Sequence, residues 1–324
     1  MNKPKLVTIV GPTATGKSSL ALLLARQFKG EIISADSMQV YRGMDVGTAK
    51  PSVAERRMVP HHLIDILDPD QDYSAALFRQ QADEIIRELH RLKTPIFLAG
   101  GTGLYLKALT RGLFRGPAAD LNLRLLFHQE AEAEGTGSLH RKLKSLDPNA
   151  AARIHPQDRF RLIRALEVYF QSSKPISNFQ KEHGFEEEPY EVLKIGLEYE
   201  RGELYRRIEL RVEKMIENGW VDEVRSLLEH GYSPNLRALQ SLGYKHIVSY
   251  LVGRIDIAEA IRLIKRDTRR YAKRQITWFK ADSEITWFFN ESESLENIRK
   301  AVEGFIRSRH NTPSACIDSP TQKC

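Results

Sequence analysis

Along its first hundred residues the chain alternates short apolar runs with longer segments whose apolar positions recur every three or four residues. The runs predict strands at residues 6–10, 31–34 and 96–99; the periodic segments predict helices from Lys17 and over 74–93. Strand, helix and strand in succession are the βαβ rhythm of a parallel sheet with helices on its faces. Each run leads into a turn-forming or polar residue, Gly11, Asp36 or Gly100. These fall at the carboxyl edge of the sheet, where open α/β folds place their sites.

Between 113 and 189 the texture changes to charged helical segments broken by Gly and Pro, and a strand pattern returns at 193–197. The fold class expected is therefore α/β, a parallel sheet flanked by helices and interrupted by a mostly helical insertion. The expected boundaries are 1–112 for the first part of the sheet domain, 113–190 for the insertion and 191–310 for the second part. That second part should carry helices at 204–216, 221–230 and 257–274. Residues 311–324, rich in Ser, Thr and Pro, are expected to be a disordered tail.

Composition narrows the setting. With 324 residues and 41% hydrophobic content, the chain can build such cores, and a net charge of +7 favours a polyanionic partner if the charge gathers on one surface. The two cysteines, Cys316 and Cys324, both lie in the tail, which leaves no disulfide framework and no zinc site. The apolar stretch after the N-terminus is too short for a signal peptide, and no run approaches membrane-spanning length. A cytoplasmic protein with no membrane association is expected.

The string GPTATGKS (Gly11, Pro12, Thr13, Ala14, Thr15, Gly16, Lys17, Ser18) follows an apolar strand and opens a helix, matching the P-loop pattern in spacing and context. Gly11 and Gly16 let the backbone curl so that successive N–H groups face a diphosphate at a positive helix end. Lys17 would reach its terminal phosphate, and the Ser18 hydroxyl would ligate the accompanying Mg²⁺, a hard ion that takes oxygen ligands. The pattern does not say whose diphosphate it is.

Asp36, after the second strand, would face this loop across the sheet edge. A carboxylate there can accept a proton from a bound substrate, or it can serve a metal ion or cap a turn. The string AGGTGLY after the strand at 96–99 brings backbone close to a ligand and offers the Thr102 hydroxyl, although a plain turn has the same composition. Residues 261–274 hold seven cations, Arg262, Lys265, Arg266, Arg269, Arg270, Lys273 and Arg274, against one acid. Their spacing of three or four makes one helical face a cationic stripe, either tracking phosphates or merely solvated, with Ile261, Ile264 and Ile276 opposite. Arg159, Arg161 and Arg164 in the insertion, and Arg206, Arg207 and Arg211 after it, are equally open between phosphate clamps and ordinary surface.

In order along the chain, GPTATGKSSLA, ISADSMQVYRGMDVGTAKP, FLAGGTGLYLKAL, RALEV, LYRRIELRVEKM, SLGYK and RRYAKRQITWF resemble the tRNA dimethylallyltransferases, the IPP transferase family. The resemblance implies transfer of a dimethylallyl group from dimethylallyl diphosphate to N6 of the adenosine just 3′ of the anticodon, in tRNAs reading codons that begin with U. Mg²⁺ would assist, and the P-loop would hold a prenyl diphosphate in place of a nucleotide. Asp36 would be the general base, Thr102 would contact the reacting groups and Arg211 would help hold the diphosphate. Contacts to the tRNA anticodon stem-loop would come from Asp36, Ser37, Met38 and Gln39, from Thr102, and from Arg124. Further contacts would come from Phe160, Arg161, Leu162, Ile163 and Arg164, and from Gln240, Ser241, Leu242, Gly243, Tyr244 and Lys245. The string 273–280, led by Lys273, Arg274 and Gln275, completes the set, and the insertion would clamp the anticodon arm.

By the resemblance the protein is of the compact bacterial type, and a monomer is expected. Two other functions share some of these features. A P-loop small-molecule kinase has the loop and the carboxylate but no use for the basic stripe. An RNA-binding module without catalysis leaves Asp36 and the AGGTG loop unexplained.

Overall fold

The computed structural model describes residues 2–289 and 292–308; the expected tail at 311–324, with Cys316 and Cys324, lies outside them. In chain order the first elements are β1 (Lys5–Val10), α1 (Lys17–Phe28), β2 (Glu31–Ser34), α2 (Val53–Met58), β3 (His61–His62), α3 (Ala75–Arg91), β4 (Ile96–Ala99) and α4 (Gly103–Arg111). Next come α5 (Leu121–Glu134), α6 (Thr136–Leu146), α7 (Pro148–Ala151), α8 (Arg159–Ser172) and α9 (Ile176–His183). The chain ends with β5 (Glu191–Glu198), α10 (Arg201–Glu217), α11 (Trp220–Glu229), α12 (Tyr244–Leu251), α13 (Ile257–Lys280), β6 (Ile285–Phe289) and α14 (Ser292–Arg307).

The six strands form one parallel sheet in the order β3-β2-β4-β1-β5-β6. Its central strands read as continuous apolar runs because both faces are covered. Leu6, Val10, Ile96 and Leu98 face one core, with Phe78, Ile86 and Leu89 of α3. Val7, Ile9, Phe97 and Ala99 face the other, with Leu20, Leu24 and Ala25 of α1 and Ile298 and Val302 of α14. Successive strand residues thus alternate between two cores, and each large side chain buried there stabilises the fold by about 1.5–3 kcal/mol.

Helix starts follow side-chain caps. The Ser74 hydroxyl accepts the Leu77 N–H and opens α3. Asp256 accepts the Glu259 N–H at 2.7 Å and opens α13, which runs to Lys280, six residues past the expected end. A capping box of Ser52 and Glu55 starts α2, which is only six residues long and buries none of them, so it has no apolar period to mark it in the sequence. The short β3 and the strand–helix pair β6–α14 are likewise additions to the expected elements.

Residues Thr110–Glu188 form a separate compact unit, against the 113–190 expected from composition. It is helical throughout its regular structure, and its own core gathers Phe127, Leu139, Leu143, Leu162, Ile163 and Leu166 from α5, α6 and α8. Among the described residues no helix is long and apolar enough to cross a membrane.

Candidate active site

The phosphate loop is shaped by its neighbours as much as by its own glycines. Gly11 has φ 135°, and a Cβ there would lie 2.4 Å from the Leu197 carbonyl oxygen on β5, so only glycine fits where the two strands close. Gly16, at φ 85°, turns the chain into α1, whose first turn has neither a side-chain cap nor an acidic residue. That leaves a positive helix end facing the loop, the arrangement that binds anions. The loop is braced inside by Thr15 Oγ1 donating to Pro12 O at 2.9 Å, and outside by Arg207 of α10, whose Nε donates to Ala14 O at 3.1 Å. Arg207 is itself stacked over the Tyr199 ring at 4.4 Å.

Lys17 Nζ donates to Pro12 O at 2.6 Å. Burial, and then the nearby Arg211 guanidinium, push its pKa down to about 7 against a smaller opposing pull from Asp36. Arg211 is also pushed down by burial, with Asp36 pulling the other way. Two cations and one carboxylate are thus electrostatically coupled beside the phosphate loop. Ser18 is exposed at the start of α1, and no group of three or more His, Cys, Asp or Glu side chains that could hold a metal ion occurs among the described residues. An ion here would be held by a hydroxyl and chiefly by the oxygens of the diphosphate itself, which is how Mg²⁺ is commonly bound. The donor set fits Mg²⁺ and does not fit zinc.

Asp36 follows β2. Its Oδ1 accepts the Met38 N–H at 2.8 Å and the Gln39 N–H at 3.4 Å, while Oδ2 accepts no hydrogen bond among the described residues. The turn-capping role considered from sequence is therefore real and uses one oxygen, leaving the other for chemistry. Thr102 Oγ1 accepts the Ser37 N–H at 3.1 Å, so its own proton remains to be donated. The two loops approach closely because Gly100 has no side chain: a Cβ there would lie 2.1 Å from Ala35 O.

A cavity of about 260 Å³ opens beside Asp36, bounded also by Thr13, Arg211, Trp220, Ser241 and Tyr271. A larger one of about 690 Å³ lies beyond the phosphate loop, with Arg56, Arg206, Arg207 and Lys214 on its walls. Arg211 and Met215 line both, so Arg211 stands at the join. Burial, and then the Asp36 charge, push the Tyr271 phenol up to about 12, keeping it a proton donor at neutral pH.

Several expected contact residues have structural duties. Gln275 is buried: its Oε1 accepts the Thr13 N–H at 2.9 Å and its Nε2 donates to Gly101 O at 2.9 Å, stapling the phosphate loop to the AGGTG loop. Gln39 is buried between Ser34 Oγ and the carbonyls of Thr48 and Ala49. Tyr244 is buried and donates to Glu223, which also accepts the N–H groups of Asp45, Val46 and Gly47. Gly243, at φ 89°, lies against the Trp220 ring. Of that string, Gln240 and Lys245 are exposed, and Ser241 and Leu242 line the smaller cavity. Among 36–39, Asp36, Ser37 and Met38 line it too.

In the insertion, the Leu162 and Ile163 side chains belong to the core, whereas Phe160, 72% exposed, and Arg161 lie on the surface of that turn. Arg124 and Arg164 both bind the fully buried Glu167, through Arg124 Nε at 2.8 Å and Arg164 Nη1 at 2.5 Å. This internal cluster occupies much of their donor capacity.

The cationic stripe of α13 is also not bare. Arg262 pairs with Glu259, Lys265 with Glu213, Arg269 with Glu209, and Arg266 and Arg270 with Asp267. Lys273 and Arg274, both exposed, have no carboxylate partner among the described residues, and Arg274 lies 5.6 Å over the Tyr271 ring. The sequence reading missed Trp220, Glu223 and Tyr271, and left Arg207 open between a phosphate clamp and ordinary surface. The WVDEV string and the RRYAK string hold no periodic or spacing signal that would single the three out.

Residues 39–282 match the family described as IPP transferase, and residues 4–65 that described as isopentenyl transferase. The chain is 52% identical to a tRNA dimethylallyltransferase of Geobacter metallireducens, over 94% of this chain and 98% of that one. It is 53% identical to one of Geobacter sulfurreducens, over 88% and 91%. Among solved structures, the full-length tRNA isopentenylpyrophosphate transferase of Bacillus halodurans superposes with a TM-score of 0.70 at 42% identity, covering 94% of this chain and 97% of that one. A eukaryotic dimethylallyltransferase acting on tRNA gives 0.77 at 27% identity, covering 93% and 77%. The family match over residues 39–282, with identity above one half to relatives covered over most of their length, places this protein in the IPP transferase family, with the tRNA dimethylallyltransferases.

Proposed function

We propose that the protein transfers a dimethylallyl group from dimethylallyl diphosphate to N6 of the adenosine just 3′ of the anticodon, in tRNAs reading codons that begin with U. The observation that carries the reading is the placement of Asp36 and Arg211 on one small cavity, electrostatically coupled to Lys17 of the phosphate loop.

The diphosphate lies in the loop of Gly11, Pro12, Thr13, Ala14, Thr15, Gly16, Lys17 and Ser18. The adenine amine, a weak nucleophile with its lone pair delocalised into the ring, occupies the cavity beside Asp36. In the transfer, the bond between the allylic carbon and the diphosphate oxygen breaks, the N6–carbon bond forms, and an N6 proton passes to Asp36 Oδ2. Negative charge grows on the departing diphosphate, where Lys17, Arg211 and the α1 terminus are already fixed; such preorganised charge is worth most in a site shielded from water. Thr102, held by the Ser37 N–H, keeps a hydroxyl proton for the reacting groups. Mg²⁺, held through Ser18 and the diphosphate, supplies further neutralisation of the leaving group when bound. The target base must leave its stack to enter the cavity, at a cost of roughly a few kcal/mol that contacts to the anticodon stem-loop offset. Those contacts rest on Ser37, Met38, Phe160, Arg161, Gln240, Lys245, Lys273 and Arg274. All assigned residues belong to one chain, so the reading needs only a monomer, working in the cytoplasm where tRNA is.

The test is incubation with labelled dimethylallyl diphosphate, Mg²⁺ and unmodified tRNA, beside a tRNA with guanosine in place of the target adenosine. Label in the first tRNA alone supports the reading. Label in neither, with ATP consumed in the presence of small acceptors, would replace it with a kinase.

A further inference from the structure

Far from the site in sequence, the helical unit carries a cavity of its own of about 560 Å³, walled by His140, Lys144, Arg153 and His155 between Pro148 and Pro156. No Asp or Glu lines it. Many cations elsewhere in the unit are paired with carboxylates: Lys142 with Glu130, Arg159 with Glu132, Arg161 with Asp158, and Lys174 with Glu182. Lys144 and Arg153 have no carboxylate partner among the described residues.

The donors are also held ready. Arg153 Nε donates to Asn149 O at 3.2 Å and its Nη2 to Gln180 Oε1 at 3.0 Å. Both acceptors are neutral, so the guanidinium is oriented without being neutralised, and Nη1 is left for a ligand. His155 Nδ1 accepts the Gln157 N–H at 3.1 Å, which puts its ring proton on Nε2 as a donor. His140 Nε2 faces Ala151 O at 3.1 Å and must donate to it, since a carbonyl only accepts. His140 and Lys144, four apart on α6, share a face.

We propose that this cavity is a phosphate subsite for the sugar–phosphate backbone of an RNA, and, resting on the function proposed above, of the tRNA substrate. Phosphate is the chemistry that a point-charge lysine, a forked arginine and a neutral imidazole donor share. Backbone is favoured over a small phosphorylated molecule because Lys144, Arg153 and His155 are all exposed: a ligand is gripped from one side and stays in contact with solvent.

The experiment measures tRNA binding and transfer against salt for the full-length wild type and the double variant Lys144→Gln, Arg153→Gln. A charge-matched control, Lys142→Gln with Lys174→Gln, removes two cations that are already paired. In the first double variant, the slope of log affinity on log salt should fall by about two and the KM for tRNA rise roughly tenfold at moderate salt. Its kcat and its KM for dimethylallyl diphosphate should not change. An unchanged slope overturns the subsite, and an equal fall in the control reduces it to net charge and overturns it too. Saturation with inorganic phosphate that leaves tRNA affinity intact would assign the cavity to a small phosphate. Absence of transfer by the wild type would sink the functional reading alone, because the binding slopes still decide the subsite.

Discussion

Asp36 divides its carboxylate between two tasks, and the division makes its role separable from its structural one. Oδ1 caps the turn at Met38 and Oδ2 is uncommitted. Asp36→Asn keeps an oxygen for the cap but cannot take up a proton. Single-turnover transfer should fall by roughly 10²–10⁴, the range for removal of a positioned base, with tRNA affinity little changed; near-normal turnover would end the assignment. Lys17 makes a second prediction at this scale. In the free protein its pKa sits at about 7, held down mainly by burial. A bound diphosphate supplies the missing countercharge and raises it. Below pH 7 the ammonium is already formed, so binding takes up no proton; above it the bound state holds one proton more than the free state. Affinity for the diphosphate should therefore weaken as pH rises above 7, by at most about tenfold per pH unit. Calorimetry at pH 8 in buffers of different ionisation heat should report uptake approaching one proton per diphosphate, and Lys17→Met should abolish it.

At the scale of elements, the site is a set of strand-end loops held in register from a distance. The Gln275 side chain on α13 joins the loop after β1 to the loop after β4. Gln275→Leu leaves the Thr13 N–H and the Gly101 carbonyl unpaired, a cost of about 1–3 kcal/mol for a buried polar group. Chemical denaturation should show that loss, and diphosphate affinity should drop with it because the loop loses its brace; an unchanged midpoint and affinity would refute the staple. This residue also shows where sequence reading stops. Gly11, Lys17, Asp36 and Thr102 were legible because loop conformation, helix start and strand end are local properties that leave a spacing in the chain. Gln275 binds Thr13 across 262 residues, and its function exists only once the fold has brought the two together. The resemblance counts it among the RNA contacts, with Leu162 and Ile163, but says nothing of the internal bonds Gln275 makes or of the core that buries the other two. The strands were readable as continuous apolar runs, whereas β3 has two residues and leaves no pattern to read.

Over the whole molecule, a net charge of +7 overstates the field that an RNA would meet, because ion pairs consume most of the α13 stripe. What matters for a polyanion is the cation that has no acid beside it, since only such a group releases counterions on contact with a phosphate without first giving up a partner. On α13 these are Lys273 and Arg274, which lie next to the cavity wall formed by Tyr271. Lys273→Gln with Arg274→Gln should reduce the salt slope of tRNA binding by about two and raise the KM for tRNA, with the KM for dimethylallyl diphosphate unmoved. Arg266→Gln with Arg269→Gln removes the same charge from residues already paired with Asp267 and Glu209, and should change the slope much less. Filter binding over a range of salt concentrations compares the two directly. Equal slopes in both variants would mean that total charge governs the encounter and that the pairing seen along α13 has no bearing on it; a difference would place the RNA path along the C-terminal half of that helix, beside the residues that hold the reacting groups.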